Sequence, residues 1–491
     1  MKHLRAVPFV LALLALPACT ERPGIGGRAR ASAPNASATL DGTPMSTCGM
    51  FGAALCGRLN VPQDRSDPSL GRIGLRVMVI PSADPDPAPD PVFFLAGGPG
   101  GAATEQWGQA AELFPGIHAR RDIVLVDQRG TGGSNALRLP PAPDLTGASR
   151  RETRAAIGIW MSGELDRSDA DPRLYGSPEA ADDVDAVRAA LGYDRIDLYG
   201  GSYGATLAQY YLLRHGDHAR AVVLDGGTML DVPIFEGIAA NSQRALDSVL
   251  DRCARDAACH GAFPDPRGDL AAAMSRLSSR PERTDVMDPW THRPIVVDAN
   301  ALATEIHHLL VVSQGAEVPV LIHDAATGRV RPVAERIREA SEDPRTSVFG
   351  LVMFWSIVCS EGWARFDPAR TAQSGTGSSL LRSQLADARS WRLVCGSMPG
   401  ISREPATAVR SSVPVLLLNG TEDPQDPPSN VAGAARAFPN SLELAVASLG
   451  HTIGTRGCLP DVVARFFAAG SIDGLDTSCV ASMTSAAFLT P

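Results

Sequence analysis

Seven short apolar runs, each closed by turn residues, set the fold class of this chain. They are IGLRVMVI (73–80), PVFFLAG (91–97), DIVLVDQ (122–128), RIDLYG (195–200), RAVVLDG (220–226), VPVLLLNG (413–420) and LELAVAS (442–448). Several are unbroken rather than alternating, the pattern of strands covered on both faces in a largely parallel sheet. Helical stretches separate some of them. PEAADDVDAVRAALG (178–192), for example, lines up Ala181, Val184, Val187, Ala190 and Leu191 as one apolar stripe. Strand, helix, strand alternation predicts an α/β architecture, a mostly parallel sheet flanked by helices. With 491 residues, 44% of them apolar, the chain can hold one large core with an insertion.

The strand series breaks off between Gly226 and Ser412. Those residues contain helix-like segments such as IAANSQRALDSVLDRCA and ANALATEIHHLLVVS but no comparable strands. The expected organisation is therefore a core in two parts, 48–225 and 413–491, with a mainly helical cap inserted at 226–412. Upstream, MKHLRAVPFVLALLALPAC joins a short basic start to an apolar run too short to span a bilayer, which reads as a signal peptide over 1–18. Its ending Leu16-Pro17-Ala18-Cys19 resembles a bacterial lipoprotein signal, with Cys19 as the lipidated residue. Residues 19–47, rich in Ala, Gly, Pro, Ser and Arg, read as a flexible tether.

The cysteines point the same way. Apart from Cys19 they fall as four close couples, Cys48 with Cys56, Cys253 with Cys259, Cys359 with Cys395, and Cys458 with Cys479. Sequential disulfides in an exported, periplasmic or cell-surface protein are the simplest reading. Spacings of six or eight without accompanying histidines do not match a zinc site, and no metal or organic cofactor is indicated. The net charge of −9 and the lack of a basic stripe with interleaved aromatics argue against nucleic acid as a partner. Contact with a membrane is expected only through the lipid anchor.

DLYGGSYGA (197–205) carries Ser202 at the G-x-S-x-G spacing. RIDLY offers a strand before it and ATLAQYYLLRHG a helix after it, the context of a nucleophile elbow, where the serine sits exposed on a sharp turn. A serine hydroxyl is a weak nucleophile and needs a base oriented by a carboxylate. Asp423 in NGTEDPQDP, beyond the VPVLLLNG run, is the preferred acid, with Glu422 and Asp426 as competitors; His451 in SLGHTIG is the preferred base. His260, His292, His307 and His308 fall in the insertion and read as ordinary surface or helix residues. For an oxyanion hole, which needs two backbone N–H groups, Tyr203 supplies one and Gly98 in FFLAGGPGGAA the other. Asp127 and Arg129 in DIVLVDQRGTGGS read as a charged pair bracing that glycine loop.

Together GGPGG, DQRGTGGS, YGGSYG, the G-x-x-D-P run at Gly420 to Pro424 and GHT at His451 resemble the prolyl aminopeptidase and tripeptidyl aminopeptidase family of α/β-hydrolase serine peptidases. CGRLNVPQDRSDP at Cys56 looks like the opening strand region of the tripeptidyl branch. The resemblance runs from about Cys48 to Cys479 and implies the same serine, aspartate and histidine, a helical cap over the site, and a peptide substrate with a free N-terminus. It also implies a cap carboxylate for the substrate's α-amino group, which falls on Glu361 in FWSIVCSEGW; a solvated helix-end glutamate is the plainer reading of that residue. Ala96 stands where prolyl aminopeptidases often have histidine, and Asp426 where threonine is common, so the exact substrate stays open. Three functions follow for test: a serine exopeptidase, an esterase or other acyl hydrolase on the same machinery, and a noncatalytic surface binding protein.

Overall fold

The computed structural model describes residues 38–490 apart from 49–52, 111–113, most of 136–170, 290, 343–349, 363–365, 381–390 and most of 392–407. The expected signal segment, Cys19 and the tether up to residue 37 lie outside the described residues.

One nine-stranded sheet organises the described chain. In chain order its strands are β1 (Ser46–Thr47), β2 (Leu55–Pro62), β3 (Arg72–Ile80), β4 (Val92–Leu95), β5 (Ile123–Val126), β6 (Ile196–Gly201), β7 (Ala219–Asp225), β8 (Val415–Gly420) and β9 (Ser441–Val446). In space they run β9-β8-β7-β6-β4-β5-β3-β2-β1. Pairing is parallel from β9 through to β5 and antiparallel from β5 to β1. From β4 the chain steps to β5 on one side and later returns to β6 on the other. That reversal is a topological switch point, and ligands of open α/β sheets bind outside the carboxyl ends of the strands there.

The unbroken apolar runs are explained by burial on both faces. One face carries Phe93, Leu95, Leu198, Leu224 and Leu417 against the helices α2 (Ser177–Ala190) and α3 (Tyr203–His215), through Val184, Val187, Leu207 and Tyr211. The other carries Phe94, Leu125, Val223, Leu416 and Leu418 against α1 (Ala103–Ala110) and α7 (Leu459–Ala469), through Trp107, Val463, Phe466 and Phe467. Truncating one of these leucines to alanine costs about 2–5 kcal/mol, the transfer loss plus the cavity left behind.

Between β7 and β8 lie mostly helices, among them α4 (Ile234–Arg255), α5 (Ala299–Val311) and α6 (Leu351–Ile357). Leu246, Val249, Leu302, Ile306, Val333 and Ile337 belong to a cluster separate from both faces of the sheet. This stretch also holds an antiparallel hairpin, Glu282–Met287 with Pro294–Val297, that the strand search overlooks. Its strands are short and interleave buried with exposed or half-buried positions, so they lack the continuous apolar signature.

The tether ends earlier than its composition suggests. Thr39–Leu40 and Thr43–Pro44 form a small hairpin and Ser46–Thr47 joins the sheet edge. Leu40 and Met45 are buried there, and the Asp41 N–H donates to the carbonyl of Ala190 at 3.0 Å. Two isolated apolar residues suffice to dock a segment that has no apolar period. The eight cysteines bond in sequence order, Cys48–Cys56, Cys253–Cys259, Cys359–Cys395 and Cys458–Cys479. Among the described residues no helix is long and apolar enough to cross a membrane.

Candidate active site

Ser202 stands between the end of β6 and the start of α3, with φ 57° and ψ −124°. A non-glycine residue in that region carries about 1–3 kcal/mol of strain and persists only where its surroundings enforce it. Here the Ser202 N–H donates to the Asp225 carbonyl at 2.8 Å, and the Ser202 carbonyl accepts from the Ala205 N–H at 2.8 Å. The flanking glycines are a packing requirement. A Cβ on Gly200 would lie 2.2 Å from the Gly204 carbonyl oxygen, and one on Gly204 would lie 2.1 Å from that of Leu95. The G-x-S-x-G spacing thus records the close crossing of β4, β6 and α3.

Asp423, in the loop after β8, accepts from His451 Nδ1 at 2.8 Å through Oδ2. Its other oxygen is held by the N–H groups of Gln425 at 2.8 Å and Asp426 at 3.0 Å. His451 follows β9 in a loop fastened to the end of α5: the His451 N–H donates to Val311 at 2.8 Å and the Gly450 N–H to Ser313 Oγ at 2.8 Å. Its Nε2 is buried and has no hydrogen-bond partner among the described residues. The loops of Ser202 and His451 meet at Asp225, the last residue of β7. Its carbonyl takes the Ser202 N–H, while its carboxylate takes the N–H groups of Ile453 at 2.6 Å and Gly454 at 2.9 Å and the Tyr199 hydroxyl at 2.5 Å. Sequence reading passes over Asp225, although an aspartate closing a buried strand in RAVVLDG is a visible signal.

The competing acids point elsewhere. Glu422 faces Arg252 on α4 at 3.3 Å, tying that helix to the loop. Asp426 accepts from Thr228 Oγ1 and stands with Oδ2 3.6 Å from His451 Nδ1. Asp423, Asp426 and His451 are close enough together to form a group of metal-ligating type, but the direct His451 hydrogen bond accounts for the Asp423 contact.

Burial alone would push the Asp423 carboxyl up, but the charge and hydrogen bond of His451, with the two N–H donors, bring it below the usual range. Burial raises Asp426 to about 7, reinforced by the neighbouring Asp423 charge and opposed by His451. For His451, burial disfavours the charged ring, yet Asp423, Asp426 and Asp225 outweigh it and lift the imidazole to about 9. These surroundings favour the charged, imidazolium form of His451.

The glycine loop after β4 lies beside the elbow. A Cβ on Gly97 would come within 2.9 Å of the Gly201 carbonyl oxygen and 3.1 Å of Ser202 Cβ. Gly97 donates its N–H to Gln106 Oε1 at 3.0 Å, whereas Gly98 is exposed and lines the cavity with Ser202 and Tyr203. The expected Asp127–Arg129 pair does not form. Asp127 accepts from Thr104 N at 2.9 Å, Thr104 Oγ1 at 3.0 Å and Gly133 N at 2.9 Å, bracing the start of α1 behind the glycine loop. Arg129 turns away and forks onto Asp183 of α2, with 2.7 Å from both Nε and Nη2. Both residues lie beyond the end of β5 at Val126, where strand alternation no longer sets side-chain direction, and Arg129 is satisfied by Asp183 on α2.

A cavity of about 430 Å³ opens over Ser202. Met229, Phe235, Ile238, Phe354, Val358 and Trp391 give it apolar walls. Its polar lining includes Glu361, Asp426, Thr228 and His307. Glu361 is therefore a wall residue, only 6% exposed, and not a solvated helix end. Its carboxylate caps the start of α2, accepting from Ser177 N at 2.8 Å and Ser177 Oγ at 2.7 Å, a location whose dipole favours an anion. The Cys359–Cys395 disulfide lies in the same turn. His307 on α5 also departs from the expectation of an ordinary helix residue, since it borders the cavity with Nδ1 2.9 Å from Ser242 Oγ.

A parallel-sheet core with a serine elbow, and an aspartate–histidine pair delivered by the next strands, is the arrangement of the α/β-hydrolase fold, and this chain has that fold. The α/β hydrolase fold family matches residues 90–282, and a second family described as TAP-like protein matches residues 383–479. Among individual relatives, the chain is similar to the serine protease Hip1 of Mycobacterium tuberculosis, 28% identical over 263 residues, 48% of this chain and 49% of that protein. It is 25% identical over 257 residues to the tripeptidyl aminopeptidase of Streptomyces lividans, 48% of this chain and 44% of that one. To carboxylesterase B of Mycobacterium tuberculosis it is 30% identical over 311 residues, 58% and 56% of the two chains. The chain spans about half the length of the curated relatives it matches.

Proposed function

We propose that this chain is an exported serine exopeptidase that releases one or a few residues from free peptide N-termini. Ser202 Oγ attacks the scissile carbonyl carbon while His451 Nε2 takes its proton. The oxyanion is met by the N–H groups of Tyr203 and Gly98. His451 returns the proton to the leaving amine nitrogen as the C–N bond breaks, and water releases the acyl group by the same steps in reverse roles. Asp423 holds His451 with Nδ1 protonated. No metal or cofactor takes part in this reading.

The observation that carries the exopeptidase reading is Glu361. A buried carboxylate on the wall of the cavity that Ser202 also lines suits a substrate that brings an ammonium group, since a carboxylate and an ammonium make a strong, charge-assisted hydrogen bond. The relatives named serine protease and tripeptidyl aminopeptidase support a peptide substrate. Four disulfides and the N-terminal signal pattern with Cys19 support an exported protein, lipid-anchored at a membrane surface. Ester hydrolysis is the second reading, favoured by the carboxylesterase B relative. A noncatalytic binding role is disfavoured by the strained elbow and the His451–Asp423 bond.

Labelling with a fluorophosphonate, followed by assay of free and N-blocked peptide amides beside short acyl esters, tests these readings. Modification of Ser202 with selective turnover of the free peptides is expected. Failure to label Ser202 rejects both enzyme readings, equal turnover of blocked peptides rejects amine recognition, and turnover of esters alone selects the esterase.

A further inference from the structure

Between Glu361 and the elbow lies a directed hydrogen-bond chain. The Ser177 hydroxyl is 2.7 Å from Glu361 Oε2 and 2.9 Å from the Tyr203 hydroxyl. Ser177 has one hydroxyl proton, and the carboxylate accepts it, so Tyr203 must be the donor in the second bond. Burial and the charge of Glu361 hold the Tyr203 phenol well above its usual value, which keeps that proton in place. The chain therefore runs from the Tyr203 hydroxyl through the Ser177 hydroxyl to the Glu361 carboxylate. Tyr203 is the first residue of α3, and its main-chain N–H is the oxyanion donor of the proposed reaction.

We propose that Ser177 is a positioning residue linking amine recognition to the oxyanion hole: an ammonium docked on Glu361 fixes, through Ser177 and the Tyr203 hydroxyl, the residue whose N–H stabilises the oxyanion. This inference rests on Glu361 being the amine-binding carboxylate. Oxyanion donors act only when held within a fraction of an ångström of the productive position. A substrate with a free amine then gains in kcat as well as in binding, and an acyl ester, which has no ammonium to offer Glu361, does not draw on the link.

Ser177→Ala breaks the chain at its centre: the residue 177 N–H remains to hold Glu361 Oε1 at 2.8 Å, while the hydroxyl's bonds to Glu361 Oε2 and to the Tyr203 hydroxyl both go. For a free dipeptide or tripeptide amide, kcat should fall about fivefold to tenfold, the effect of about one hydrogen bond, with any rise in KM smaller than the fall in kcat and a smaller loss of short-ester turnover than of peptide turnover. Tyr203→Phe, which removes only the bond to Ser177 and leaves both Ser177 bonds to Glu361, should lower the same kcat with KM within about twofold, and the double variant should be no worse than the poorer single one, since both break one chain. An equal loss on esters, a rise in KM alone, or additive losses in the double variant would overturn the link. If Ser177→Ala does not fold, the kcat-against-KM split in Tyr203→Phe decides. Wild-type protein that turns over blocked and free peptides equally removes the Glu361 reading and this inference with it; a preference for free peptides that survives Ser177→Ala with unchanged kcat removes the link alone.

Discussion

The two sides of the cavity are built on different principles. At the sheet edge, Ser202, Asp423 and His451 are held by main-chain groups: the Asp225 carbonyl at the end of β7 for Ser202, the Gln425 and Asp426 N–H groups for Asp423, and the Val311 carbonyl at the end of α5 for His451. Elsewhere on the cavity lining, Glu361 takes hydrogen bonds from the main-chain N–H and the hydroxyl of Ser177, in a turn that also carries Cys359 of the Cys359–Cys395 disulfide. Backbone support fixes position whatever the surrounding side chains are, which suits chemistry shared by many substrates. Support that includes a side-chain hydroxyl can be retuned by single substitutions, which suits selectivity. The expected split is that changes at the sheet edge abolish all turnover, whereas changes at the wall redistribute it among substrates.

The harshest test is Asp423→Asn. Loss of the carboxylate leaves His451 free to adopt the wrong tautomer, and turnover of peptides and esters alike should drop by about 10⁴-fold. Steady-state kinetics on both substrate types checks this. A drop of only about tenfold would mean that Asp426, 3.6 Å from Nδ1, has taken over the role, and the sheet edge would be less singular than the comparison holds. Glu361→Gln comes next. It keeps the shape and removes the charge, so kcat/KM for free peptides should fall about 10²-fold, the worth of a charge-assisted hydrogen bond, with a smaller loss on esters. Equal losses on both would erase the distinction between the two walls.

Much of the sheet edge is legible in the sequence because its causes are local. The elbow glycines are forced by contacts of about two ångströms with neighbouring backbone, and unbroken apolar runs follow from burial on both faces. What the sequence leaves open is the direction of side chains that share a loop. Glu422, Asp423 and Asp426 sit within five residues, yet one reaches Arg252, one His451 and one Thr228. Asp127 and Arg129 separate in the same way, to Thr104 and to Asp183. Each choice depends on a partner 20 to nearly 200 positions away, which no periodicity records. The wall is less legible for the same reason: the Glu361–Ser177 contact spans 184 positions. The buried residues Leu40 and Met45 likewise dock a segment whose composition reads as tether.

The finest distinction concerns Asp426, which belongs to both sides, lining the cavity and standing beside His451. His451 must be neutral to accept the serine proton, and its surroundings raise it to about 9. The sign follows directly: below that value the imidazolium predominates and kcat/KM is reduced, and the rate climbs as pH rises toward it. Asp426 is one of the carboxylates doing the raising, and it exerts a full charge only above about 7. Asp426→Asn removes that charge while leaving an acceptor for Thr228, so the ascending limb of the pH profile should move down by about one unit, with kcat on the plateau nearly intact. A profile of kcat/KM from pH 5 to 10 for both proteins reads this shift. A limb that stays in place would mean that Asp423 alone sets the basicity of His451. A limb that moves up would mean that Asp426 is protonated throughout and acts as a neutral donor rather than as a charge.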